Sequence, residues 1–160
     1  MGKYHYILDM IQTAMMTIGR EQGWDNAVFV STYRAVIESR FIFAIDYTAK
    51  TSKDRKKIGA SRIEKTEMVS AGYVIIHEGE SMRKVKLFDK RNWYWYDGIY
   101  LLPKCAKWAD LDRFGINYGK GALEIWYSLS QGNISYFQNG QSVEHVDFGN
   151  VFSLDRYATT

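Results

Sequence analysis

The residue groups able to carry chemistry in this chain are few, and each is incomplete. His77-Glu78-Gly79-Glu80 places an imidazole and two carboxylates within four positions. A metal needs three or four converging ligands, and this group falls at a turn between two strand-like runs, where both carboxylates are expected to be solvated. No metal and no cofactor is expected, and His77 stays a bare acid–base candidate. Asp46 is the other candidate. It closes an apolar run between Ile45 and Tyr47, so burial would raise its pKa toward that of a general base. Turned to solvent, it would be an ordinary carboxylate. His145 beside Glu144 and Asp147 is no stronger. Cys105, the only cysteine, needs a neighbouring imidazole to act as a nucleophile; beside Trp108 on an expected helix face, it reads as an inert thiol.

Two glycine patterns fall short of a site. Gly115, Gly119 and Gly121 surround Lys120, but the P-loop order is absent. Gly98-Ile99-Tyr100 has the first half of the signature that names GIY-YIG nucleases. The second half fails, because Ile116-Asn117-Tyr118-Gly119 lacks the full triplet and Arg113 precedes it. The match reads as coincidence.

Charge is more informative. The formal net charge of +3 hides two basic stretches. Residues 50–65 carry +5, through Lys50, Lys53, Arg55, Lys56, Lys57, Arg62 and Lys65 against Asp54 and Glu64. Residues 82–91 carry +4, through Arg83, Lys84, Lys86, Lys90 and Arg91 against Asp89, which leaves −6 for the rest. If 82–88 and 93–96 pair across a turn at 89–92, Phe88 faces Trp93 and Lys86 faces Trp95, with Lys84 on the same side. Cations neutralise phosphates and release counterions, and flat rings stack on bases. The expected partner is therefore nucleic acid, or an acidic or nucleoprotein complex, met by Lys53, Arg55, Lys56, Lys57, Arg62, Lys84, Lys86, Lys90, Arg91, Trp93 and Trp95. Lysine stems lying along rings on a solvated sheet would look the same in sequence.

These residues need a frame. Residues 3–20 have helical apolar spacing from Tyr4 to Ile18. A second helix is expected over 26–39 with Asp25 as N-cap, although Val28, Val30 and Thr32 also alternate as in a strand. Residues 41–47 read as a strand, and 50–65 as a mobile loop or short basic helix. A meander of strands follows at 71–77, 82–88, 93–96 and 99–102, with turns at 78–81, 89–92 and Asp97-Gly98. A helix is expected at 104–113, then a hairpin of 122–129 and 133–138, and a strand at 141–146 after Asn139-Gly140. The fold class is α+β, with two N-terminal helices packed on a curved, mainly antiparallel sheet, in one domain over 1–160.

The 160 residues suffice for a core without disulfide or metal. One cysteine excludes an intrachain disulfide and points to a reducing, cytoplasmic setting. No apolar run reaches the ~20 residues of a membrane span, and no signal peptide is expected. Three functions fit. The first is a small non-enzymatic binding protein using the basic–aromatic surface, in the compact format of phage or mobile-element accessory proteins. The second is a small-molecule enzyme or binding domain with an internal pocket. The third is a stoichiometric inhibitor or immunity-type protein anchored by aromatics such as Trp93 and Trp95.

Overall fold

The computed structural model describes residues 2–92 and 98–151. The chain divides into two compact units, Met1–Phe43 and Ala44–Thr160. The α+β class holds, with two helices at the N-terminus followed by mainly antiparallel sheets. No helix among the described residues is long and apolar enough to cross a membrane.

The first unit is a helical hairpin, α1 (Lys3–Glu21) and α2 (Asn26–Glu38). The expected cap is in place: the Asp25 carboxylate accepts a hydrogen bond from the Ala27 N–H at 2.9 Å. That satisfies one of the donors a helix start leaves open. The Tyr33 hydroxyl donates to Asp9 Oδ1 at 2.6 Å and ties the two helices together.

The second unit contains two five-stranded, mainly antiparallel sheets. The first holds β1 (Phe43–Asp46), β2 (Lys50–Thr51), β3 (Lys57–Lys65), β4 (Val69–Glu78) and β5 (Ser81–Arg91). Both β1 and β2 pair with β3, which is followed across the sheet by β4 and β5. After a short helix, α3 (Leu101–Lys104), the second sheet is a meander of β6 (Ala106–Trp108), β7 (Arg113–Tyr118), β8 (Leu123–Ser128), β9 (Ile134–Gln138) and β10 (Gln141–Val143). A last helical turn, α4 (Phe148–Val151), buries Val151 in the core.

One core lies between the sheets, built from Ile63, Val74, Ile76 and Leu87 on one side and Phe114, Ile116, Leu123 and Ile125 on the other. Its shape depends on small residues facing large ones. A Cβ on Gly59 of β3 would lie 2.7 Å from the Phe114 ring, so the missing side chain is the space that Phe114 fills. Polar bridges close the seam. The Ser61 hydroxyl donates to the Pro103 carbonyl at 2.6 Å, the Tyr136 hydroxyl to the Leu87 carbonyl at 3.0 Å, and Lys57 Nζ to the Leu111 carbonyl at 2.9 Å.

Several sequence expectations give way here. Residues 50–65 are neither loop nor helix: β2 and β3 form a hairpin, and Gly59, Ser61, Ile63 and Lys65 alternate into the interior. The 89–92 turn is absent. β5 continues to Arg91, with Asp89, Lys90 and Arg91 paired to Ala71, Ser70 and Val69. A bulge where Gly72 pairs with Phe88 and Tyr73 with Lys86 lets consecutive Leu87 and Phe88 both face inward. The Phe88 ring occupies the place a Gly72 side chain would need. Residues 99–102 enter α3 rather than a strand, with Ile99 and Leu102 buried one turn apart. The 104–113 helix is replaced by β6 and a turn. β10 stops at Val143, and the expected 93–96 strand lies outside the described residues.

Asp112 ties the turn between β6 and β7 to the turn that follows β8. Its carboxylate accepts from the Ser128 hydroxyl at 2.6 Å and the Ser130 N–H at 2.8 Å. The Ser128 hydroxyl, helped by the Ser130 N–H and hydroxyl, holds the Asp112 carboxyl below the ordinary aspartate range, against the opposing effects of burial and of the neighbouring Asp110 charge. A depressed folded pKa gives stability that is present above the unfolded value and lost as pH falls through the folded one. Asp112→Asn should therefore lower the melting temperature at neutral pH and make the decline below about pH 4 shallower than in the unsubstituted chain. Melting curves at neutral pH and near pH 3 check this.

Candidate nucleic-acid interface

The predicted basic residues fall into three groups. The first lies on the outer face of the β3–β4–β5 sheet. Arg62 pairs with Tyr73 and Tyr73 with Lys86 across the strands, and Lys84 Nζ sits 4.3 Å from the Tyr73 ring centroid. This face does combine cations with an aromatic ring, but its charge is already neutralised. Arg62 is 3.5 Å from Asp46 and 3.1 Å from Glu64, Lys84 is 2.7 Å from Glu64, and Lys86 is 2.5 Å from Asp89. The Asp89 carboxylate holds the Lys86 ammonium above its ordinary value.

In the second group Lys90 turns inward, Lys57 supports structure and Arg91 stays outside. The bulge reverses the facing of β5, so Phe88 leaves the side it was expected to share with Lys84 and Lys86. Lys90 becomes 9% exposed. Lys57 is half-buried and lies 3.9 Å from Glu78. Arg91 is exposed at the end of β5. Trp93 and Trp95 lie outside the described residues.

The third group is Lys53, Arg55 and Lys56 in the β2–β3 turn. All three are exposed, and none has an ion-pair partner among the described residues. The turn is built rather than loose. The Ser52 hydroxyl donates to Asp54 Oδ1 at 2.6 Å, the Lys56 N–H reaches the same oxygen at 3.2 Å, and the Lys57 N–H donates to Ser52 Oγ at 3.0 Å. The Ser52 hydroxyl and the Lys56 N–H hold the Asp54 carboxyl below its usual range. Asp54 is thus engaged in shaping the turn that displays the three cations. Arg55 takes the left-handed backbone region, φ 60°, which points to a tightly held tip.

At the base of this hairpin is an open cleft of about 410 Å³. Tyr47, Lys50, Tyr100, Lys104 and Leu101 line it, and its lining contains no carboxylate. The elements that make it are distant in sequence. The Tyr47 N–H donates to the Ser61 carbonyl at 2.9 Å, which sets Tyr47 against β3. The Tyr47 hydroxyl donates to the Tyr100 carbonyl, joining the first sheet to α3. Burial, and then the neighbouring Tyr100 phenol, push the Tyr47 hydroxyl up from its ordinary value, so it stays a neutral donor at physiological pH. The Trp108 indole donates to the Lys50 carbonyl at 2.8 Å and fixes β2 beneath the cleft. Lys50 and Lys104 are exposed, without ion-pair partners among the described residues, and Tyr100 is 44% exposed.

The catalytic candidates are not assembled into a site. The Asp46 side chain is 65% exposed beside Arg62 rather than enclosed by Ile45 and Tyr47. His77 is exposed at the end of β4 between Ile58 and Met82. Among the described residues, no group of three or more His, Cys, Asp or Glu could hold a metal ion. Cys105 is a half-buried free thiol that ends α3.

Comparison with protein families, with curated proteins and with solved structures returns no match.

Proposed function

We propose that this protein is a non-enzymatic binding module that engages single-stranded nucleic acid through the Tyr47–Tyr100 cleft and the basic hairpin beside it. One observation carries the reading. Five exposed cations without an ion-pair partner among the described residues, Lys50 and Lys104 in the lining and Lys53, Arg55 and Lys56 in the adjoining hairpin turn, accompany a cleft whose lining holds two tyrosines and no carboxylate. Phosphates would be neutralised at the hairpin and the cleft mouth. The half-exposed Tyr100 ring offers a stacking surface for a base, and the neutral Tyr47 hydroxyl sits behind it. A duplex has no unstacked base to offer such a ring, so single strands should be preferred.

The test is fluorescence anisotropy with labelled single- and double-stranded oligonucleotides across a salt series. Binding to the single strand is expected near 50 mM salt and should weaken steeply as salt rises. Replacing Lys50, Lys53, Arg55, Lys56 and Lys104 by glutamine should flatten the log–log slope by roughly 0.7 for each phosphate that is no longer neutralised. Tyr100→Ala should cost about 1–3 kcal/mol of affinity, because the carbonyl that Tyr47 uses is retained. Lys84→Gln and Lys86→Gln, whose charges are internally paired, should change little. No binding at about 50 mM salt, or equal displacement of the oligonucleotide by polyglutamate, would sink the nucleic-acid reading.

A further inference from the structure

The α1 helix has two apolar faces, and α2 covers only one of them. On the covered face, Gly19 allows close approach: a Cβ there would lie 2.5 Å from Asn26 Oδ1 and 2.7 Å from the Phe29 ring. On the other face Tyr6, Ile7, Met10, Ile11 and Ile18 are each between 41% and 63% exposed, and Ala14 between them is exposed as well. Ile7, Ile11, Ala14 and Ile18 follow each other by four, three and four positions, which is the spacing of a seam between two packed helices. Such a stripe on a folded helix marks a contact surface.

We infer that this stripe is an interface between two copies of the chain, with α1 packed antiparallel against α1 of the second copy about a two-fold axis. Three features select that occupant. The stripe is complementary to itself when reversed: Ile11 falls opposite Ala14 and Ile7 opposite Ile18, so the large residue at the centre meets the small one. A two-fold contact requires this self-complementarity. The charges also match. Lys3 opens the helix and Glu21 closes it, each at the end where the helix dipole opposes its sign. In the antiparallel pair, Lys3 of one copy lies beside Glu21 of the other, so each meets the opposite charge that its own helix end does not supply. The area is sufficient as well. The stripe exposes on the order of 500 Å², so two copies would cover on the order of 1,000 Å², the lower bound for a specific interface.

Sedimentation equilibrium of the full chain, from low to high micromolar, tests this. The unsubstituted protein should be a concentration-dependent dimer. Ile11→Glu, at an exposed position, should keep the helical circular dichroism and raise the dimer dissociation constant about a hundred-fold or more. Lys3→Glu and Glu21→Lys should each weaken the dimer, and the double exchange should restore it, a recovery that only contact between the two positions explains. A monomer at every concentration, a dimer that survives Ile11→Glu, or charge exchanges that fail to compensate would each overturn the inference. None of these outcomes depends on nucleic acid.

Discussion

Phe114→Ala should destabilise the β-sheet unit by about 3–5 kcal/mol, the range for removing a fully buried phenylalanine. Phe114 is 1% exposed. Its ring fills the space left by Gly59 on the facing strand and lies 4.9 Å, centroid to centroid, from the Trp108 ring. Little around it can collapse into the gap. Gly59 has no side chain to move in, and Trp108 is held by its indole hydrogen bond to the Lys50 carbonyl. A site that cannot relax keeps its cavity and bears the upper part of the cost. Ile58→Ala is the matched control. Ile58 is next in the chain to Gly59 but 45% exposed on the outer face, so its loss should stay within about 0.5 kcal/mol. Urea unfolding followed by tryptophan fluorescence checks both. A Phe114→Ala cost as small as that of Ile58→Ala would mean that the two sheets do not share this core.

The Phe114–Gly59 pair also explains which parts of the fold sequence can reveal. The helices are legible because their information is local: α1 carries its apolar spacing, and α2 its Asp25 cap. The β8–β9 hairpin is legible because Ser130-Gln131-Gly132 separates two alternating runs. β3 is not, because the inner face of the strand reads Gly59, Ser61, Ile63, Lys65 and lacks the apolar alternation that signals a strand. The residue that makes Gly59 suitable, Phe114, lies in a different sheet. The bulge in β5 is hidden for a similar reason. Strict alternation puts Phe88 beside Lys86, and only pairing with Gly72 moves it inward. The short apolar runs at 99–102 and 104–113 exchange identities, since spacing over four or five residues fits a strand edge and a helical turn equally well.

The candidate site is legible in charge and not in geometry. Lys53, Arg55 and Lys56 stand where the linear order shows a basic segment. The sheet-face lysines look available in sequence, because nothing in the linear order brings Glu64 to Lys84 across the sheet. Tyr47 and Tyr100 do not stand out as a pair, because the hydrogen bond that joins them spans 53 positions.

Gly115→Ala should be at least as damaging as the loss of Phe114, although it adds a single methyl group. Gly115 sits inside β7, paired with Trp126 of β8 on one side and with Lys107 of β6 on the other. A Cβ there would lie 2.0 Å from the Ile125 carbonyl oxygen and 3.0 Å from the Trp126 Cα. Both obstacles are backbone of a strand that is itself paired on its far side with β9, so no side-chain rotation relieves the clash. The ladder between β7 and β8 must part, or the strands must shift register and turn Phe114 and Ile116 out of the core. Overpacking that a side chain can absorb costs about 1–3 kcal/mol; here the cost should exceed that and leave the β-sheet unit largely unfolded at room temperature. Gly132→Ala separates the steric cause from a general intolerance of glycine replacement. Gly132 needs a positive φ, 68°, but a Cβ there meets nothing within 4 Å, so only the backbone penalty of about 1–2 kcal/mol applies. The expected order of stability is unsubstituted chain, then Gly132→Ala, then Gly115→Ala by a wide margin. If the last two were equal, the close approach of β7 and β8 at Gly115, and the register that defines the second sheet, would have to be wrong.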